Sequence, residues 1–228
     1  MIVITDVSKS YPLQGFARYR VFHGLTVTLP SRKNIGIIGR NGAGKSTLLR
    51  LIGGIELPDS GSIKSTCSIS PPVGLASGFA HQITGRDNAR FVCRINGDKG
   101  ATLSQRVDFV EDFAELGEFF ERPVSTYSSG MRARLAFAIS MSFEHDYYLI
   151  DELMSVGDKR FREKAELTFA KKRGEASIVM VSHNLGNLKR DCDCGLYLNE
   201  NGITFFDSIS DAVEQYESDQ EKIKSKAS

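Results

Sequence analysis

The sequence predicts an α/β fold with a mainly parallel sheet and a helical subdomain. Three observations predict it. An apolar strand, Ile35-Gly36-Ile37-Ile38, runs into a glycine turn and then into a helix ending at Ile52. Two more apolar runs, Tyr147-Tyr148-Leu149-Ile150 and Ser177-Ile178-Val179-Met180-Val181, flank a crossover helix at Phe161 to Arg173. Strand, crossover helix, strand is the pattern of a parallel sheet. Finally, the stretch from about residue 80 to about residue 140 is mainly helical in period.

Taken in order, Ile2 to Ile4 reads as a first strand. Leu25, Val27 and Leu29 alternate with Thr26 and Thr28, the period of a half-buried strand. Between them, Lys9 to Arg20 reads as a polar loop with several aromatics, which could stack on a ligand or simply fill the loop. Pro58-Asp59-Ser60-Gly61 marks a turn, followed by short strands at Ser62 to Lys64 and Cys67 to Ser70. Pro71 to Phe79, rich in Gly and Pro, reads as a hinge between subdomains. Thr84-Gly85-Arg86-Asp87 is a capping-box start, with Phe91 and Ile95 one helical turn apart. Thr102-x-x-Gln105 is expected to start the next helix, with Leu103, Val107, Val110 and Ala114 on one stripe. Leu196 to Phe206 reads as a hairpin with an Asn-Gly turn, and Ser208 to Tyr216 as a closing helix. Residues 1–217 are therefore expected to form one domain, and the charged tail, 218–228, to be disordered.

Composition narrows the function classes. A net charge of +1 over 228 residues gives no basic field for nucleic acid. There is no run of 18 apolar residues for a membrane span and no signal-peptide pattern at the start, so a cytoplasmic setting is expected. The four cysteines, Cys67, Cys93, Cys192 and Cys194, are expected as thiols there. Cys192-Asp193-Cys194 lacks a second pair at zinc spacing.

The turn after the first parallel strand reads Gly39-Arg40-Asn41-Gly42-Ala43-Gly44-Lys45-Ser46-Thr47. This fits G-x-x-x-x-G-K-[ST], the P-loop, with the required strand before and helix after. Its backbone N–H groups and the partial positive charge of the helix start bind phosphate. Lys45 adds a full charge, Ser46 a hydroxyl for Mg²⁺, and Thr47 a second phosphate contact. The chain is thus expected to bind a nucleoside triphosphate. Asp151 and Glu152 end the strand that starts at Tyr147, where ligands of open α/β sheets gather. Asp151 is expected to hold Mg²⁺ through water, and Glu152 to orient and deprotonate the attacking water. Val181-Ser182-His183 ends the next strand the same way, placing His183 to report the γ-phosphate. Tyr127 to Leu135, with small residues Ser128, Ser129 and Gly130 ahead of a helix, describes either a second anion site or a plain serine N-cap.

In this order the motifs resemble an ATP-binding cassette (ABC) ATPase over roughly residues 1 to 210. Gly39 to Thr47 resembles Walker A and Leu149 to Glu152 Walker B. Ser128-Ser129-Gly130-Met131 resembles the signature, with Ser129 and Met131 replacing the usual Gly and Gln. Ser155-Val156-Gly157-Asp158 resembles the D-loop and His183 the switch histidine; Tyr11 matches the adenine-stacking aromatic, with Tyr19 as runner-up. Pro71 or Pro72 falls near the place of the family's Q-loop glutamine. Pro71 to Phe79, Thr84 to Asn88, Tyr127 to Leu135 and Tyr147 to Glu152 are similar to the ATP-binding subunit of capsular polysaccharide exporters of the KpsT type.

The resemblance implies a P-loop ATPase core, ATP and Mg²⁺, and a homodimer with ATP sandwiched between Walker A of one copy and Ser128, Ser129, Gly130 and Asp158 of the other. It implies a separate integral-membrane permease, docking near Val73 to Ile95, and periplasmic and outer-membrane export components. The protein would be peripheral on the cytoplasmic face of the inner membrane, exporting lipid-linked capsular polysaccharide. O-antigen or teichoic acid export is the nearest rival. A non-transport ABC protein usually shows a long coiled coil or two cassettes, and neither is found in this sequence.

Overall fold

The computed structural model describes residues 1–13, 17–73, 79–151, 159–199 and 202–227. In chain order the elements begin β1 Ile2–Pro12, β2 Arg18–Leu29, β3 Ile35–Gly39, α1 Lys45–Ile52, β4 Ser60–Ser65 and β5 Ile69–Pro72. Three longer helices follow: α2 Gly85–Ile95, α3 Gly100–Ala114 and α4 Ser129–Ser142. The chain then runs through β6 Tyr147–Asp151, α5 Lys159–Glu175, β7 Ser177–Val181, α6 Leu185–Asp191, β8 Cys194–Asn199, β9 Gly202–Phe206 and α7 Ile209–Ala227. It divides into two compact units, 1–72 with 145–152 and 173–228, and 73–144 with 153–172.

The first unit carries two sheets. One is antiparallel, in the order β2-β1-β4; the other has six strands, β5-β6-β7-β3-β8-β9, parallel except for the β8–β9 pair. Strands β6 and β7 are buried nearly throughout and read as continuous apolar runs, as a sheet covered on both faces requires. In β2, Leu25 and Leu29 point inward and Thr26 and Thr28 outward, as the alternation predicts. Leu48, Leu49, Leu51 and Ile52 of α1 join the core with Ile2, Ile4, Val7, Leu29, Ile37, Leu149, Val179 and Leu196. Residues from both sheets thus share one core with the helix.

Two glycines set how closely α7 approaches the parallel sheet. Gly36 on β3 and Gly195 on β8 are register partners. A Cβ on Gly36 would lie 2.7 Å from Cδ1 of Ile209, and one on Gly195 2.4 Å from Cβ of Ala212. Ile209, Ala212 and Val213 of α7 are buried. Burial pushes the Cys194 thiol, at the start of β8, up to about 11, and the Cys93 thiol of the second unit likewise to about 11. Both are therefore unreactive thiols at neutral pH.

In the second unit Thr84 caps α2, accepting from the Asp87 N–H at 3.0 Å and donating to its carboxylate at 2.8 Å. Buried Asn88 ties the preceding loop down, accepting from Ala80 N and donating to the carbonyls of Ala80 and Thr84. Phe113 stacks on Phe137 with centroids 5.8 Å apart, and both meet Phe161 edge-on. Phe91 and Ile95 are 56% and 69% exposed, so α2 presents them outward and not to a core. Among the described residues no helix is long and apolar enough to cross a membrane.

Four expectations differ from the structure. Lys9 to Arg20 is largely strand, because Ser10 and Tyr11 pair with Arg20 and Tyr19, and Asp59 accepts from both the N–H and the hydroxyl of Ser10. The helix expected from Thr102 begins at Gly100, where left-handed glycines at 97 and 100 turn the chain early. Val107, Val110 and Ala114 of its stripe are buried. Gly202, expected in the turn, instead opens β9 and pairs with Asn199, and residues 200–201 lie outside the described residues. Helix α7 takes in 218–227, where composition suggests disorder; Asp219 accepts from Tyr197 Oη and from Gln215 and Lys222, which ties the helix back to β8.

A Gly195→Ala substitution should destabilise the protein by about 1–3 kcal/mol, since α7 must move to admit the methyl group. Denaturant unfolding of the variant beside the parent protein measures this; equal midpoints would show that the approach of α7 is not set there.

Candidate nucleotide-binding site

Strands β6 and β7 end level, and β3 runs two residues further, to Gly39. Ile37 pairs with Val181, and Asp151 pairs with Val181, so the ends of three neighbouring parallel strands open at one edge. A cleft of about 420 Å³ lies there, lined by Tyr11, Tyr19, Asn41, Gly42, Gly44, Lys45, Ser46, Thr47, Asp151 and His183, with Val21 and Val181. Ligands of open α/β sheets bind at such strand ends.

The loop from Gly39 to Gly44 closes on itself, with the Ala43 N–H donating to Arg40 O at 3.1 Å. Gly44 is the N-cap of α1 with φ +94, a conformation only glycine adopts cheaply, and a Cβ there would also lie 2.5 Å from Val21 and 2.6 Å from Phe22. The antiparallel sheet therefore presses against the loop through β2. Lys45 is only 7% exposed and curls back over the loop, donating to Gly39 O at 2.7 Å and Arg40 O at 3.0 Å. These carbonyls compensate the buried ammonium, as a charge out of water requires.

Ser46, on the first turn of α1, donates to Asp151 Oδ1 at 3.2 Å across the cleft, though 105 positions separate them in the chain. The two offer hard oxygens of the kind Mg²⁺ takes, and Mg²⁺ binds through one or two such groups plus phosphate and water. Thr47 is buried beside them; its Oγ1 accepts from Arg50 Nη2 at 3.3 Å. His183 is exposed, two residues beyond β7, and faces the same cleft.

Tyr11 and Tyr19 face each other across the β1–β2 pair, and both line the cleft. Tyr11 is half-buried, with Oη donating to Glu56 Oε2 at 2.5 Å, whereas Tyr19 is 50% exposed with Oη 3.4 Å from Gly42 O. Glu152 and Asp158 lie outside the described residues. Ser128, Ser129 and Gly130 belong to the second unit. There Ser128 N-caps α4, accepting from Met131 N at 3.2 Å, and Ser129 and Gly130 form the first, solvent-facing turn. The structure thus brings Tyr11, Asn41, Gly42, Gly44, Lys45, Ser46, Thr47, Asp151 and His183 to one cleft. Glu56 and Arg50, which hold Tyr11 and Thr47, have no motif around them and are not legible in the sequence.

Residues 22–155 match the family model described as ABC transporter. The chain belongs to the ABC transporter family. It is 50% identical over 220 residues to the polysialic acid transport ATP-binding protein KpsT of Escherichia coli, covering 96% of this chain and 100% of that protein. It is 44% identical to the capsule polysaccharide export ATP-binding protein CtrD of Neisseria meningitidis, covering 96% and 99%. Among solved structures it is similar, at 20% identity and a TM-score of 0.74, to a dimeric ATP-binding cassette, MJ0796, in a post-hydrolysis state bound to ADP and Pi, covering 92% and 99%. The fold is accordingly that of an ABC ATPase.

Replacing Lys45 by alanine removes the buried ammonium that lines the cleft. Hydrogen bonds to charged groups contribute about 1.5–3 kcal/mol, so ATP affinity should fall about tenfold to a hundredfold. Calorimetric titration of folded Lys45→Ala protein measures it, and parent-like affinity would refute the role of Lys45.

Proposed function

We propose that the protein is the ATP-hydrolysing subunit of an exporter of lipid-linked capsular polysaccharide. It would work as a homodimer on a separate integral-membrane permease, peripheral at the cytoplasmic face of the inner membrane, with periplasmic and outer-membrane components beyond. The observation that carries the reading is the contact of Ser46 with Asp151 beside Lys45, on a chain that matches KpsT over its whole length. In this reading residues 1–217 act as the ATP-binding domain, with the helical subdomain at about 80–140.

ATP enters the cleft with its phosphates on the Gly39–Thr47 loop. The N–H groups of Arg40, Asn41, Gly42, Ala43 and Gly44 and the start of α1 supply donors and partial positive charge. Lys45 turns from its carbonyls to the outer phosphates, Thr47 takes the inner one, and Tyr11 supports the adenine. Ser46 and Asp151 would hold Mg²⁺, which neutralises charge on the phosphates when bound. Glu152, next in the chain after Asp151, takes the proton of the attacking water, and His183 contacts the γ-phosphate.

The second anion site completes the chemistry from another copy. Ser128, Ser129 and Gly130 at the start of α4, with Asp158, close over the γ-phosphate of the partner's ATP. Closure binds two nucleotides between two copies; hydrolysis and phosphate release reopen the pair and drive the permease.

A Glu152→Gln variant keeps shape and hydrogen bonding but loses the base. Its hydrolysis should fall about a hundredfold or more while ATP binding persists, giving a stable ATP-bound dimer. Steady-state ATPase rates with sizing chromatography measure both, and a normal rate would remove Glu152 from the chemistry.

Mixing two defective proteins tests the shared site. Lys45→Ala and Ser128→Arg proteins should each fail to close on ATP. In their heterodimer one site carries both lesions and the other carries none. The mixture should therefore recover ATP-dependent dimer. With subunit exchange verified, a mixture no better than the separate proteins would count against a site built from two copies.

A further inference from the structure

Five side chains form a closed cluster behind the aromatic wall of the cleft. Glu56, just past α1, accepts from Tyr11 Oη at 2.5 Å and from Arg50 Nε at 2.6 Å. Lys9 Nζ lies 3.4 Å from the same carboxylate and 5.3 Å from the centroid of the Tyr11 ring, and donates to Leu57 O at 2.8 Å. Arg50 Nη2 donates to both Tyr11 Oη and Thr47 Oγ1 at 3.3 Å. Burial alone would raise the Glu56 carboxyl, but the hydrogen bonds from Tyr11 and Arg50 and the charge of Arg50 outweigh it and hold it below its usual range. It is ionised at neutral pH and stays a full acceptor.

This cluster joins two elements that meet the nucleotide at opposite ends. Tyr11 stands near the end of β1 in the antiparallel sheet; Thr47 and Arg50 stand on the helix whose start receives the phosphates. A base can stack well on a tyrosine only if the ring keeps one distance and tilt relative to the phosphates. An aromatic ring on a strand end would otherwise have to be ordered by each incoming ligand, at a cost in affinity. Glu56 grips Tyr11 by its para oxygen, the point farthest from the backbone, and so limits both rotation and tilt. Tyr19, its cross-strand partner, has its hydroxyl 3.4 Å from Gly42 O and half its surface exposed.

We infer that Glu56 is a positioning residue for nucleotide recognition, locking the Tyr11 ring against α1 so that it meets the base without rearrangement. The inference rests on the nucleotide reading of this cleft. Its distinguishing feature is selectivity: Glu56 grips Tyr11, at the base end of the ligand, directly, and reaches the phosphate end only at second hand, through Arg50 and Thr47.

The test compares two probes, ATP and inorganic tripolyphosphate, which has the phosphates and no base. Glu56→Ala should weaken ATP binding about threefold to tenfold, the scale of one aromatic contact, and leave tripolyphosphate binding within about twofold. Glu56→Gln, which keeps one acceptor for Tyr11, should recover part of the loss. Tyr11→Phe, which keeps the ring and removes the oxygen, should reproduce the ATP-selective loss, and adding Glu56→Ala to it should cost ATP binding nothing more. If Glu56→Ala does not fold, the Tyr11→Phe comparison decides alone. Parent-like ATP affinity in Glu56→Ala, equal losses for both probes, or Tyr11→Phe binding ATP as the parent does would each overturn the inference. Failure of the unmodified protein to bind either probe would instead overturn the nucleotide reading, and the inference with it.

Discussion

In-register pairing of β3, β6 and β7 is the constraint on which the cleft depends. The ladder of backbone hydrogen bonds is the same in any register, so the burial of the side chains decides which residues of these parallel strands lie level. Here Ile37 and Asp151 both pair with Val181. A slip of one residue would turn Asp151 to the other face of the sheet. It would also bury a carboxylate among the apolar residues that make these strands continuous runs. The apolar burial of Leu149, Val179 and Ile37 therefore holds the Asp151 carboxylate in place as firmly as any contact it makes itself.

Helix α1 does two jobs with one short sequence. Its first turn points N–H groups and a partial positive charge into the cleft. Leu48, Leu49, Leu51 and Ile52 are buried in the core, so the helix cannot drift when charge enters at its start. Gly44 makes the close approach of β2 possible, and Val21 and Phe22 then brace the loop from outside. A loop built this way is rigid before a ligand arrives, and little binding energy is lost to ordering it.

The far side of the parallel sheet is organised by small residues. Gly36 and Gly195 lie side by side and leave room for Ile209 and Ala212 of α7. That contact anchors a helix whose later turns are strongly charged. It explains why α7 continues where composition alone suggests disorder: Tyr197 and Asp219 extend the tether beyond the apolar contact. The same logic applies to the β1–β2 hairpin, whose polar end is held as strand by cross-strand pairs and by Asp59.

The residues of a local motif were legible in the chain because their chemistry depends on neighbours in sequence. Gly39 to Thr47 needs only a strand before it and a helix after it, and the β6 and β7 runs are apolar throughout because both faces of the sheet are covered. The Thr84 cap and the alternation of Leu25 to Leu29 are local in the same way. Tertiary structure alone decided what spans the chain. Ser46 meets Asp151 across 105 positions, Tyr11 is gripped by Glu56 across 45, and Gly36 and Gly195 become a matched pair only when β3 and β8 align. Such pairs leave no periodic trace, since neither partner's neighbours reveal the other. Strand ends and helix tails followed the same division: local composition proposed a loop and a disordered tail, and long-range hydrogen bonds made them strand and helix.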